Sequence, residues 1–248
     1  MVLEWASFPL LIIFWLFFSW VISHRLFPSP LDVIYKIIEL LFEGALIVNL
    51  LKTFERASIS FIIAMMIGSV IGIILGKFKF LDRLFNLWIL IALNLPAIVV
   101  AIALFIWLGM SEIALIAAVV INKAPLVCVI IRQGYRSLNV DIKELSEVYR
   151  VSLFTKIFKI VIPQLMPHVL NAARTGLSLI WKIVLVFEIL GSDGGVGFEI
   201  GILFQYFDIT GIIAYAASFM LIVIIIEYFF LRTLENKVLG WHINQQSH

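Results

Sequence analysis

The chain has 248 residues, 63% of them hydrophobic and only 14% charged, with a mean hydropathy of +1.12. Soluble domains carry roughly 45–50% apolar and about 25% charged residues, so a water-soluble fold could not hide this much apolar surface. The net charge of +2 is small and the basic residues form no stripe, which excludes a nucleic-acid surface, and the lone Cys128 allows neither an intrachain disulfide nor a thiolate metal cluster.

The apolar excess falls in runs of about 20 residues, the length a helix needs to cross a hydrocarbon core of roughly 30 Å. These runs do not alternate as barrel strands do, so the prediction is an all-α, polytopic membrane protein. Six spans are expected, over about 5–23, 57–75, 87–108, 113–131, 166–190 and 211–231. They form a single transmembrane domain covering 1–248.

The first run follows Glu4, has no basic residue before it and no small-residue cleavage site before Arg25, and reads as an uncleaved anchor. Residues 28–43 open with Pro-Ser-Pro-Leu-Asp and continue with Val33, Ile34, Ile37, Ile38 and Leu41 at helical spacing. This predicts an interfacial helix starting near Ser29 or Asp32. On the second span Gly68, Gly72 and Gly76 recur every four residues, as close helix packing in lipid requires. The fourth span carries Lys123 between Asn122 and Pro125. A charge there is costly and either lines an aqueous path or is satisfied by carbonyls and a carboxylate elsewhere.

The long connection after the fourth span, about 132–165, is not an ordinary loop. Asp141 and Glu144 have capping-box spacing, and Ile142, Leu145, Val148 and Tyr149 follow at three- and four-residue intervals. A short amphipathic helix is expected, then a second basic and apolar helix that stops at Pro163. On the fifth span Asn171, Arg174, Thr175, Ser178 and Lys182 fall within an arc of about 100°. That polar face lines a route or packs against a second copy. Glu188, near the same helix's end, reads as an outer gate or loop anchor, and His168 as structural.

Basic residues set the orientation. Lys77, Lys79 and Arg83 follow the second span, Arg132, Arg136, Lys143, Arg150, Lys156 and Lys159 the fourth, and Arg232 and Lys237 the sixth. Residues 109–112 and 191–210 contain no Lys or Arg. Both termini are therefore expected in the cytoplasm. Lys52 and Arg56 weaken the bias unless the second span starts near Leu46.

No catalytic constellation is present: there is no His-Glu-x-x-His, no Gly-x-Ser-x-Gly and no cluster of metal ligands. A Walker A pattern is absent as well; the nearest fragment, 72–78, has the wrong spacing. The chain reads as a transport subunit rather than an enzyme. The rivals are a membrane-embedded enzyme, which lacks its residues, and a passive channel or scaffold, which has no need of the long loop.

Several motifs carry a resemblance. The loop has Glu144, an Ile sixteen residues later (Ile160) and a Pro nineteen later (Pro163). Gly134-Tyr135-Arg136-Ser137 precedes it, Glu188-Ile189-Leu190-Gly191 with Gly194, Gly195, Val196 and Gly197 follows it, and Phe27-Pro28-Ser29-Pro30 lies near the first span. The chain resembles the inner-membrane permeases of binding-protein-dependent ABC importers, in the branch that moves nitrate, taurine, alkanesulfonates, bicarbonate and thiamine-precursor pyrimidines. It departs where that family's loop has a Gly six residues after the Glu, which here is Arg150, and where two alanines are replaced by Leu145 and Ser146. In the family the Gly permits a tight turn, so Arg150 must either avoid that geometry or accept strain.

The resemblance implies a bacterial cytoplasmic-membrane localisation and a loop helix docking into a separate ATPase, which binds the ATP. It also implies two permeases per complex and an extracytoplasmic binding protein that delivers the solute and mainly sets selectivity. The coupling residues are then Asp141, Glu144, Leu145, Val148, Tyr149, Arg150, Ile160 and Pro163. The candidate pathway residues are Lys123, Asn171, Arg174, Ser178, Lys182 and Glu188. The chain itself needs no cofactor.

Overall fold

The structure is a computed structural model that describes residues 2–22, 26–139 and 148–243, with side chains over 9–22, 26–139, 148–152 and 154–229. Asp141, Glu144 and Leu145 lie outside the described residues. Among the described residues every regular element is helical: α1 (Val2–Ile22), α2 (Pro30–Phe42), α3 (Ala45–Lys77), α4 (Lys79–Asn94), α5 (Ala97–Leu108) and α6 (Glu112–Arg136). There follow α7 (Leu153–Lys156), a π-helical turn (Ile157–Val161), α8 (Ile162–Leu190), α9 (Val196–Gln205) and α10 (Ile209–Ile243).

Ala45–Lys77, Glu112–Arg136 and Ile209–Phe229 are each long and apolar enough to cross a bilayer, and the bent pair α4 and α5 adds a fourth candidate. At 29 residues α8 is also long enough, about 43 Å at 1.5 Å per residue, but one of its faces is polar. The chain divides into two compact units, Met1–Glu55 with Leu185–Ile224 and Arg56–Val184 with Ile225–His248.

In the first unit, the Phe-Pro-Ser-Pro segment turns the chain into α2. Trp15 Nε1 donates to the Pro28 carbonyl at 3.0 Å, and Ser19 Oγ to that of Phe27 at 3.3 Å. Ser29 is the N-cap: its hydroxyl accepts the Asp32 N–H at 3.2 Å, the Asp32 carboxylate accepts the Ser29 N–H at 2.9 Å, and Pro30 takes the first helical position. The Ser29 hydroxyl and backbone hold the Asp32 carboxyl below its usual value. Asp208 opens α10 in the same way, accepting the Gly211 N–H at 3.0 Å.

In the second unit, α3 and α6 approach closely along the glycine row. A Cβ at Gly68 would lie 2.7 Å from the Ala124 carbonyl, one at Gly72 2.7 Å from that of Cys128, and one at Gly76 2.7 Å from Tyr135 Cβ. Hydrocarbon supplies no hydrophobic drive between helices, so close packing of this kind helps to hold the pair. Val127 and Ile131 then pack on Leu165 and Ala172 of α8, flanked by Met65 and Val169. The helix α3 begins at Ala45, well before the expected span at 57, so Arg56 sits inside it, 3% exposed, in a two-pronged ion pair with Glu112.

Two expectations change. The run 87–108 is not one straight helix: α4 and α5 meet at 93° around Leu95 and Pro96. Pro96 has no N–H to continue the ladder and confines the preceding residue to the extended region, where Leu95 sits at φ −66°, ψ 124°. Conversely, Pro163 does not stop a helix. The chain is helical from Leu153 through Leu190, and the π turn just ahead of the proline, with Ile162 N–H reaching the Ile157 carbonyl, accommodates the missing donor.

Candidate functional site

Helix α8 shows which face its own chain covers. Ala172, Ala173, Leu177, Ile180, Trp181 and Val184 are buried. Asn171, Arg174, Thr175 and Lys182 are exposed and Ser178 is half-buried. A helix in lipid cannot leave such a stripe against hydrocarbon, so water or another protein must meet it.

Lys123 differs from that stripe. It is 8% exposed, buried beside Val119, Val120, Ala124 and Val127, and makes no hydrogen bond or ion pair among the described residues.

In the second unit, Asp82 is gripped by Arg132 at 2.7 Å and Arg136 at 2.6 Å, and Asn86 accepts from Arg132 at 3.0 Å. This ties α4 to the last turns of α6. Gly134 of the Gly-Tyr-Arg-Ser motif lies against His168, where a Cβ would come within 2.4 Å of the ring. Ser137 Oγ is 3.2 Å from His168 Nε2, and Gln164 accepts the Asn139 N–H at 3.0 Å. The motif therefore packs against the start of α8 through His168 and Gln164.

The connecting segment leads from that seat into an exposed apolar surface. Val148 and Tyr149 are 78% and 74% exposed, and Phe154 and Phe158 stack at 4.4 Å between ring centroids, with Phe154 72% exposed. Ser152 caps α7, its hydroxyl accepting the Thr155 N–H at 3.3 Å. Between these groups Arg150 has φ +49°, the left-handed conformation that costs an L-residue about 1–2 kcal/mol. Of the two alternatives the sequence left open, strain is the one adopted. Ile160 is half-buried and Pro163 exposed.

The first unit holds a buried polar node. Glu188 is 0% exposed, so within the single chain its side chain lines no open surface. Its carboxylate oxygens lie 3.0 and 2.9 Å from Thr53 Oγ1, and one of them accepts the Gly197 N–H at 2.9 Å. Thr53 in turn accepts the Val196 N–H at 2.8 Å. One turn earlier Asn49 accepts the Gly195 N–H at 2.9 Å and donates to Glu199 at 3.1 Å. The Gly-rich segment explains itself here. Gly195 has φ +103°, and a Cβ at Gly197 would lie 2.2 Å from the Leu185 carbonyl.

Asn49, Thr53, Phe154 and Phe158 escaped the sequence reading. Asn49 and Thr53 stand four residues apart on one helix face and so do the two phenylalanines, a spacing that could have flagged both pairs.

The family pattern described as "Binding-protein-dependent transport system inner membrane component" matches residues 64–239. The chain is 25% identical over 221 residues to a putative aliphatic sulfonates transport permease of Bacillus subtilis (strain 168), covering 89% of this chain and 80% of that one. It is 24% identical over 244 residues, 96% of each chain, to the formylaminopyrimidine transport permease of Halalkalibacterium halodurans. To the nitrate import permease of Synechococcus elongatus it is 23% identical over 203 residues, 77% of this chain and 72% of the other. Among solved structures, a chain of the inward-facing MetNI methionine ABC transporter superposes with a TM-score of 0.66 at 18% identity, covering 77% of this chain and 96% of its own; that likeness concerns the fold. The family match extends from the glycine row of α3 through the connecting segment and α8 into α10, and the chain accordingly belongs to the binding-protein-dependent transport system inner membrane components, as a non-catalytic, multi-pass inner-membrane permease of ABC importer type.

Proposed function

We propose that this permease forms the translocation route for a small polar solute in an ATP-driven importer, with the stripe Asn171, Arg174, Ser178 and Lys182 of α8 facing that route. The observation that carries the reading is this stripe's exposure on a helix whose opposite face is buried. Two copies of the chain enclose the route, six spans each, with both termini in the cytoplasm. An extracytoplasmic binding protein delivers the solute, and the solute is a sulfonate, a nitrate-like anion or a thiamine-precursor pyrimidine. Support for an anion comes from the cations Arg174 and Lys182 on the stripe and Lys123 within the bundle, and sulfonate, nitrate and pyrimidine permeases stand among the relatives.

The exposed segment from Val148 through Phe158, with Asp141, Glu144 and Leu145 before it, docks on a cytoplasmic ATPase that binds and hydrolyses ATP. A helix this short is unstable alone, so a partner surface completes its burial. Closure of the ATPase pair would draw the two segments together and shift the conformational equilibrium of the spans outward.

The test is co-purification of the ATPase with the tagged full chain, wild type against Phe154→Asp and Leu145→Asp. Retained membrane insertion with loss of the ATPase is expected for both. Undiminished co-purification and undiminished solute-stimulated ATP hydrolysis in both variants would remove the segment from the docking surface.

A further inference from the structure

The break between α4 and α5 poses a problem that the chain does not solve by itself. Residues 87–93 before it and 97–108 after it are wholly apolar, so it lies within the membrane-embedded part of the chain. Leu95 N–H reaches the Ile91 carbonyl at 3.0 Å, and Val99 and Val100 N–H both reach Pro96 at 3.0 and 3.4 Å. Among the described residues nothing donates to the carbonyls of Ala92, Leu93, Asn94 or Leu95, and the N–H groups of Ala97 and Ile98 find no acceptor. Asn94 spends one amide hydrogen on the Leu90 carbonyl at 2.8 Å, and its Oδ1 accepts from no described group. None of this is sheltered: Asn94 and Pro96 are exposed, Leu93 and Leu95 are 38% and 40% exposed, and Ile98 is 44% exposed.

Hydrocarbon cannot satisfy such groups, and irregular backbone at membrane depth persists only where protein buries it or water reaches it. Unmet donors and acceptors stand side by side within one turn, and water serves both kinds without a matched partner surface. We infer that the break at residues 93–97 borders the water-filled solute route, with Asn94 and the freed carbonyls forming a polar collar that a solute passes. This rests on the transport reading above and adds a second lining element, on α4 and α5, to the stripe on α8. The break then has a use: a straight span from 87 to 108 would offer the solute side-chain hydrocarbon and a single amide, with no free backbone carbonyl.

The test uses the full chain co-expressed with its ATPase in membranes, in a Cys128→Ala background so that single cysteines report alone. Asn94→Cys, Leu95→Cys, the outward apolar controls Trp88→Cys and Ile106→Cys, and Thr175→Cys on the stripe are exposed to a charged thiol reagent, without nucleotide and after vanadate trapping. Apolar burial raises a thiol's pKa, and one unit lowers the reactive thiolate about tenfold, so positions 94 and 95 should react at least about tenfold faster than 88 and 106. Their rate should also change on trapping. Labelling at 175 with none at 94 and 95 in either state would overturn the inference and leave the transport reading standing. So would a spontaneous disulfide between two copies through position 94, which would show the second permease covering the break. If 175 is also silent and no ATPase associates, the transport reading itself fails and the collar with it.

Discussion

Removing the Glu188 carboxylate tests whether the buried node holds the Gly-rich segment in place. In Glu188→Ala the Gly197 N–H and the Thr53 hydroxyl lose an acceptor at a site with no exposure. A buried donor left unsatisfied costs about 1–3 kcal/mol; the Thr53 hydroxyl keeps the Asn49 carbonyl at 3.1 Å and only the Gly197 N–H is stranded, so the variant should lose about 1–3 kcal/mol. For a chain of this size that lowers the thermal midpoint by several degrees, at about 2–4 °C per kcal/mol. Thr53→Val strands the Val196 N–H and removes one donor from Glu188, which makes the two losses overlap. Their double-mutant cycle should show a coupling of about 1–3 kcal/mol. Glu188→Gln should be milder, because its carbonyl can still take the Gly197 N–H while its amide donates to the Thr53 oxygen. The assay is thermal unfolding of the detergent-solubilised chain, read together with protease cleavage between residues 191 and 197. Additive losses from the two single variants, or a Glu188→Ala loss no larger than that of Glu188→Gln, would refute the reasoning.

Arg150→Gly should stabilise the chain: relief of about 1–2 kcal/mol of left-handed strain outweighs the roughly 0.5–1 kcal/mol of added glycine entropy, leaving about 0.5–1 kcal/mol, measured as a rise in thermal midpoint. A lower midpoint would show that the arginine makes a compensating contact. Gly134→Ala should cost about 1–3 kcal/mol by overpacking against the His168 ring, and adding His168→Ala should recover part of that loss in the same unfolding assay.

Run length and composition alone determined that lipid is the solvent for most of this chain and that its elements are helices, because only an apolar helix of about 20 residues meets both the thickness and the hydrogen-bonding demands of a bilayer. The glycine row of α3, the Ser29 and Asp32 start of α2 and the polar stripe of α8 were equally legible, since each depends on residues within one or two turns of one another. The break at Pro96 was not, because the run from 87 to 108 is apolar apart from Asn94 and a proline in such a run can kink a helix or end it. Only the fold shows that here the chain turns by 93°, while at Pro163 a π turn carries it through. Glu188 is the clearest case of surroundings that only tertiary structure decided. A carboxylate near the end of a polar helix face reads as part of a route; the fold places it within reach of the hydroxyl of Thr53, 135 positions earlier in the chain, and buries it within the chain. Helical periodicity reports which way a side chain points, but what it meets there depends on helices far away in sequence, and that meeting is set by packing.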